Sequence, residues 1–236
     1  MLWKIVAGRT RIFFAAALFA CACAATNPAA ADARQNAFDW TGFYLGATAG
    51  HAWGSSNHYI VGAPNVTDDF DTDGWLVGGT LGWNWQTGAF VLGLEADLSA
   101  SDINGRIVGN SGSFGCGLFC RTDVSAFGTV RGRAGYAFDR TLVFVTGGLV
   151  YADVEGEIGG PGVPGSITRG SDWRTGWTAG AGIEFAFDPA WSAKIEYLHV
   201  DVSDINYSPN FNGVALGAGA RFGLVRFGLN YRWGRE

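Results

Sequence analysis

The sequence predicts an all-β fold: an eight-stranded antiparallel up-and-down transmembrane β-barrel preceded by a cleavable signal peptide. Three observations predict it. The 236-residue chain opens on an export signal, eight alternating segments follow with tight turns and long polar gaps between them, and charged side chains part from apolar ones at period two.

The export signal comes first. Lys4, Arg9 and Arg11 lead into the apolar run "IFFAAALFACACAA", and the small-residue stretch "NPAAADA" follows, the pattern of a secretory signal peptide. Residues 1–33 read as that peptide, with cleavage near 31–33, and 34–236 as one outer-membrane barrel domain. A rival reading takes Cys21, after "LFA", as a lipoprotein processing site, although Phe19 is bulky for that position. Beyond Ala33 the chain carries 13 basic and 20 acidic residues, a formal charge of −7. Nucleic acid is not an expected partner, because phosphate binding needs a basic patch.

Composition narrows the class. The chain has 37 Gly, 10 Trp, 17 Phe and 7 Tyr against 16% charged residues, which does not suit a soluble helical protein. No apolar run after the signal is long enough for a helical span. If a membrane is crossed, strands in a closed barrel must cross it, because every backbone N–H and C=O needs a partner where there is no water.

Segments of the kind that barrels use recur along the chain. They are 41–53, 74–85, 89–99, 124–138, 141–154, 173–187, 191–200 and 214–233. "QTGA", "DRT" and "DPA" make brief turns near residues 88, 140 and 189, about fifty residues apart. The stretches 54–73, 100–123, 155–172 and 201–213 are rich in Gly, Asn, Asp, Ser and Pro and read as long loops. Short turns on one rim and long loops on the other place the turns in the periplasm and the loops outside the cell.

Face partition decides the barrel's polarity. In "TVRGRAGYAF" Arg131 and Arg133 share one face, while Val130, Ala134, Tyr136 and Phe138 share the other. Glu95 and Asp97 oppose Phe90, Leu92, Leu94 and Leu98, and Glu184 opposes Ile183 and Phe185. Lys194 and Glu196 oppose Ile195 and Tyr197, and Arg226 opposes Phe227 and Leu229. Arg outnumbers Lys 14 to 2, which suits a cramped interior where guanidinium and carboxylate pair in two-pronged fashion. Eight strands enclose just enough room for side chains to fill. The expected lumen charge network is Glu95, Asp97, Arg131, Arg133, Glu184, Lys194, Glu196 and Arg226. Trp75, Trp83, Trp85, Trp173, Trp191, Tyr231 and Trp233 fall near strand ends, where interfacial belts place aromatic rings.

Other chemistry finds little support in the sequence. The histidines His51, His58 and His199 sit in no telling motif, and His199 and Ser203 on one strand would stand ~13 Å apart. No catalytic residue, no cofactor and no metal site is expected. Cys116 and Cys120 in "GCGLFC" lack a neighbouring histidine for zinc, and a small disulfide is their expected fate outside the cell, with two free thiols as the alternative. "DDFDTD" at 68–73 reads as solvated acid rather than a calcium site. The glycine runs lack the strand-turn-helix setting of a dinucleotide site.

"DWTGFYLGATAGHAWG", "FVLGLEADLS", "TVRGRAGYAFDRTLVFVTGGLVYADV", "WTAGAGIEFAFDPAWSAKIEYLHVD" and "VRFGLNYRWG" together resemble the porin-family, OmpA-like outer-membrane proteins of alphaproteobacteria, which include immunogenic surface antigens. The resemblance spans the whole chain after the signal. It implies a structural or surface-antigen barrel in a Gram-negative outer membrane, with lipid, lipopolysaccharide and the barrel-assembly machinery as partners. A small porin-like channel is the alternative, as is contact of the extracellular loops with a host surface or with a ligand such as haem. It also implies a terminal aromatic assembly signal, matched by Tyr231 and Trp233, though Gly234, Arg235 and Glu236 follow here.

Overall fold

The computed structural model describes residues 38–60, 68–108, 119–159, 167–211 and 214–233. The expected signal peptide lies outside them. Alternating side chains give eight strands in chain order: β1 (Gly42–Ile60), β2 (Phe70–Thr87), β3 (Phe90–Val108), β4 (Phe119–Phe138), β5 (Thr141–Gly159), β6 (Ile167–Ala186), β7 (Trp191–Phe211) and β8 (Val214–Arg232). Each pairs antiparallel with its neighbours in sequence, and β8 returns to β1 with Tyr44 opposite Arg232 and Ala49 opposite Phe227. The sheet is a closed barrel and has no free edge within the bilayer.

The tight turns hold the chemistry they need. Gly88 (φ 61°) and Asp139 (φ 52°) take the left-handed conformation in the β2–β3 and β4–β5 turns, which glycine adopts freely and aspartate more readily than most residues.

Outward side chains are apolar over a broad band that includes Leu45, Val77, Leu81, Leu92, Leu94, Val130, Val145, Leu149, Ile183 and Leu229. Aromatic rings border it on both sides. Trp83, Trp85, Tyr136, Trp191 and Tyr231 lie toward the tight turns, and Trp53, Trp75, Tyr151 and Trp173 toward the opposite rim. Along β1, ten residues separate Phe43 from Trp53; at 3.3 Å each and a tilt near 40° they span about 25 Å, the height of an apolar membrane band.

The strands are longer than the sequence pattern suggests. They run from 18 residues in β2 to 21 in β7, about twice the length a bilayer requires. Parts of 54–73, 100–123, 155–172 and 201–213, all read as loop, are strand; β7 takes up 201–211. The cause is visible on β2, where Phe70 and Thr72 point inward and Asp71 and Asp73 outward. Beyond the aromatic belt the outer face meets water, so its residues become polar and the apolar-out signature ends while the strand continues. Asp102, Asn104 and Arg106 repeat this on β3, and Arg121 on β4. Register shifts between Val124 and Ala126 and between Ala100 and Ile103 mark bulges at that level, and both Val124 and Phe127 stay buried across the first.

Candidate functional site

The inner face is layered. A belt of ionic side chains crosses the lumen between two apolar layers. Toward the tight turns Trp40, Val91, Leu142, Phe144 and Ala186 pack together, with Phe38 and Ala137 against them. Toward the opposite rim Leu76, Ile103, Phe127, Val150, Leu198, Val200, Phe222 and Leu224 form a larger buried cluster. The sequence expectation of an ionic interior omitted these layers. On β5 apolar residues occupy both faces, so "LVFVTGGLV" shows no alternation that could expose Leu142, Phe144 and Val150 as inward-facing.

In the belt, antiparallel register sets Glu95 opposite Arg131 on β3 and β4, Glu184 opposite Lys194 on β6 and β7, and Glu196 opposite Arg226 on β7 and β8. Arg131 is 1% exposed and donates to carboxylates from two strands: Glu95, Asp97 at 3.0 Å and Glu196 across the lumen at 3.0 Å. Arg226 grips Asp97 through both terminal nitrogens, at 3.1 and 2.9 Å, and Glu196 through Nε at 2.8 Å. Lys194 Nζ lies 2.7 Å from Glu95 and 3.1 Å from Glu196. Arg133 donates to Glu184 at 2.8 Å, and its guanidinium carbon lies 4.1 Å from the centre of the Phe144 ring in the neighbouring apolar layer. All eight residues singled out from the sequence line this belt, each with an oppositely charged partner.

The belt also recruits residues outside the expected network of eight. Tyr44 donates to Glu95 at 2.8 Å and accepts from Arg133 at 3.0 Å. Thr129 donates to Asp97 at 2.6 Å, while Ser192 and Asn230 donate to Glu184 at 2.6 and 2.9 Å. Arg232 reaches Glu184 at 3.2 Å and stacks over Trp40 at 4.1 Å. Ser192, Asn230 and Arg232 share the period-two face of Lys194 or Arg226, a signal already present in the sequence. Tyr44 reads as apolar, and only the closure of β1 onto the barrel shows its role. Glycines clear space for the long side chains: a Cβ on Gly228 would fall 2.9 Å from Lys194 Cε, and one on Gly182 would fall 2.6 Å from the Phe144 ring.

The remaining candidates lie elsewhere. Tyr231 and Trp233 face outward, with ring centres 5.7 Å apart, and Tyr231 meets Trp191 at 5.0 Å. Cys120 is buried and disulfide-bonded; Cys116 lies outside the described residues. His51 stands at the outer belt 3.8 Å from Asp73, and His199 packs on Trp177. His58 Nε2 and Ser56 Oγ each lie 2.9 Å from Thr122 Oγ1, buried at the far end of the lumen. Among the described residues no cluster of three or more His, Cys, Asp or Glu side chains is arranged to hold a metal.

Comparison with known proteins places this architecture. The family model described as "Outer membrane protein beta-barrel domain" matches residues 14–222. The 31 kDa outer-membrane immunogenic protein of Brucella melitensis is 35% identical, over 98% of this chain and 99% of that protein. The 22 kDa outer membrane protein of Rhizobium leguminosarum bv. viciae is 30% identical over 78% of each. The outer membrane protease OmpT of Escherichia coli superposes with a TM-score of 0.53 over 81% of this chain and 96% of its own, at 10% identity, which speaks to fold alone. A barrel with an apolar girdle, matched by that model across most of its length, belongs to the outer membrane protein β-barrel family and resides in the outer membrane of a Gram-negative bacterium.

Proposed function

We propose that the protein is a filled barrel that anchors its extracellular rim as a surface antigen and contributes to the envelope without conducting ions. One observation carries this reading: the Glu95–Arg131–Glu196–Arg226–Asp97 network is buried and lies between two apolar layers. An ion crossing the lumen would have to part charge pairs of low dielectric and then pass Phe127, Leu198 and Leu224 without hydration. Conducting porins, by contrast, use 16 to 18 strands to leave an aqueous channel. The immunogenic character named for the Brucella relative fits the polar strand extensions, which raise Asp71, Asp73, Asn104 and Arg121 above the lipid.

The same reading takes residues 1–33 as a signal removed on export, and Tyr231 with Trp233 as the segment read by the barrel-assembly machinery. A Cys116–Cys120 bridge would stiffen the loop between β3 and β4, while lipid and lipopolysaccharide surround the girdle. No catalytic step is assigned to any residue. Purified barrel in planar bilayers is expected to give no reproducible conductance steps. Regular steps at neutral pH would favour a small porin-like channel and remove the filled-barrel reading.

A further inference from the structure

The inner wall made by β1, β2 and β3 carries polar atoms that the ionic belt does not use. The hydroxyls of Thr48, Thr80 and Ser99, and both amide atoms of Asn84, have no protein partner among the described residues, and all four side chains are at most 4% exposed. They are also neighbours. Thr48 on β1 and Ser99 on β3 both pair with Gly78 of β2, and Thr80 stands two residues along the same inward face; Asn84 lies four further on, beyond the Tyr44 ring that fills the space over Gly82. A Cβ on Gly78 would fall 2.5 Å from Ser99 Oγ, so that hydroxyl turns into the space the glycine leaves. Thr80 in turn pairs with Asp97 of the belt.

A buried hydroxyl or amide left without a partner is strongly disfavoured, and polar interior sites of this kind are met by ordered water bridging several groups. On the opposite wall the inward hydroxyls are taken: Thr129 Oγ1 donates to Asp97 and accepts from Arg131 Nε, and Thr178 Oγ1 donates to the His199 carbonyl.

We propose that the β1–β2–β3 wall is a water-binding seam, in which bound water bridges Thr48, Thr80 and Ser99 beside Gly78, next to Asp97 of the belt. The seam is blind. Above it Leu76 and Phe222 belong to one apolar layer, and below it Trp40 and Val91 belong to the other. The water therefore serves the charge network as a fixed solvent and offers no route through the barrel. The inference rests on the filled-barrel reading.

The test is magnetisation transfer from water to the barrel, measured by NMR in lipid nanodiscs. Long-lived water cross-peaks are expected at Thr48, Thr80 and Ser99, lost at all three in Thr80→Val, with a lower urea midpoint for that variant because the bridge is gone. Ser99→Ala gives the same reading if Thr80→Val fails to assemble. Absence of water cross-peaks in the folded parent, or a midpoint raised by removing the hydroxyl, would overturn the seam. Osmotic water permeability of proteoliposomes is expected to match protein-free vesicles, and a clear rise would overturn its blindness. Conductance steps alongside intact water cross-peaks would defeat the filled-barrel reading and leave the binding site standing.

Discussion

Arg131→Ala lowers the unfolding free energy of the barrel by about 3–5 kcal/mol, the usual cost of removing one partner from a buried ion pair. The size follows from what the guanidinium holds. Its nitrogens meet Glu95, Asp97 and Glu196 on three sides, and none of those carboxylates has access to bulk water. With Arg131 gone, Lys194 and Arg226 still face them, but the geometry leaves carboxylate oxygens unpaired in a low-dielectric interior. Arg131→Glu adds like-charge repulsion and is expected to prevent assembly. Urea unfolding in lipid vesicles, followed by tryptophan fluorescence, reads both. Arg121→Ala is the control: its partner Asp123 lies 2.6 Å away, but the pair sits in water above the girdle, so the expected loss is about 0–1 kcal/mol. Equal losses for the two arginines would contradict the belt. A double-mutant cycle with Glu95→Ala should return a coupling of about 0.5–3 kcal/mol.

Leu94→Arg is expected to cost about 2–4 kcal/mol in vesicles, because it drives a charge into hydrocarbon near the bilayer midplane. Leu94 is 64% exposed and stands midway along the apolar outer face of β3, between Phe90 and Leu98. In a water-soluble barrel, the same substitution at so exposed a site would change stability by less than about 0.5 kcal/mol. Asn104→Arg supplies the contrast on the same strand: it lies above the belt with its side chain outward, and near the interface the expected cost is about 0–1 kcal/mol. The depth dependence along one strand separates lipid from water as the surrounding medium.

The parts of this architecture that are legible in the sequence are those fixed over a few residues. Period two is a property of the extended backbone, so Arg131 and Arg133 on one face and Val130 and Ala134 on the other follow from spacing alone. The turns at Gly88 and Asp139 likewise declare themselves by local chemistry. Strand ends do not. Above the girdle the medium changes, Asp71 and Asp73 replace leucine on the outer face, and polar strand becomes indistinguishable in composition from loop. The wiring of the belt is also hidden, because Arg131 reaches Glu196, 65 residues away, only once eight strands have closed with a particular stagger. The apolar layers are hidden for a third reason. Leu142 and Phe144 face inward beside Val143 and Val145 facing lipid, and a strand that is apolar on both faces carries no mark of which side is which.

Nitroxide labels on Leu92, Leu94, Ala96 and Leu98 of the reconstituted barrel test most directly whether this face meets lipid. The structure predicts frequent collisions with dissolved oxygen and few with a water-soluble nickel complex at all four sites, with the greatest depth at Leu94. Frequent nickel collisions at Leu94, or a site shielded from both reagents, would contradict it.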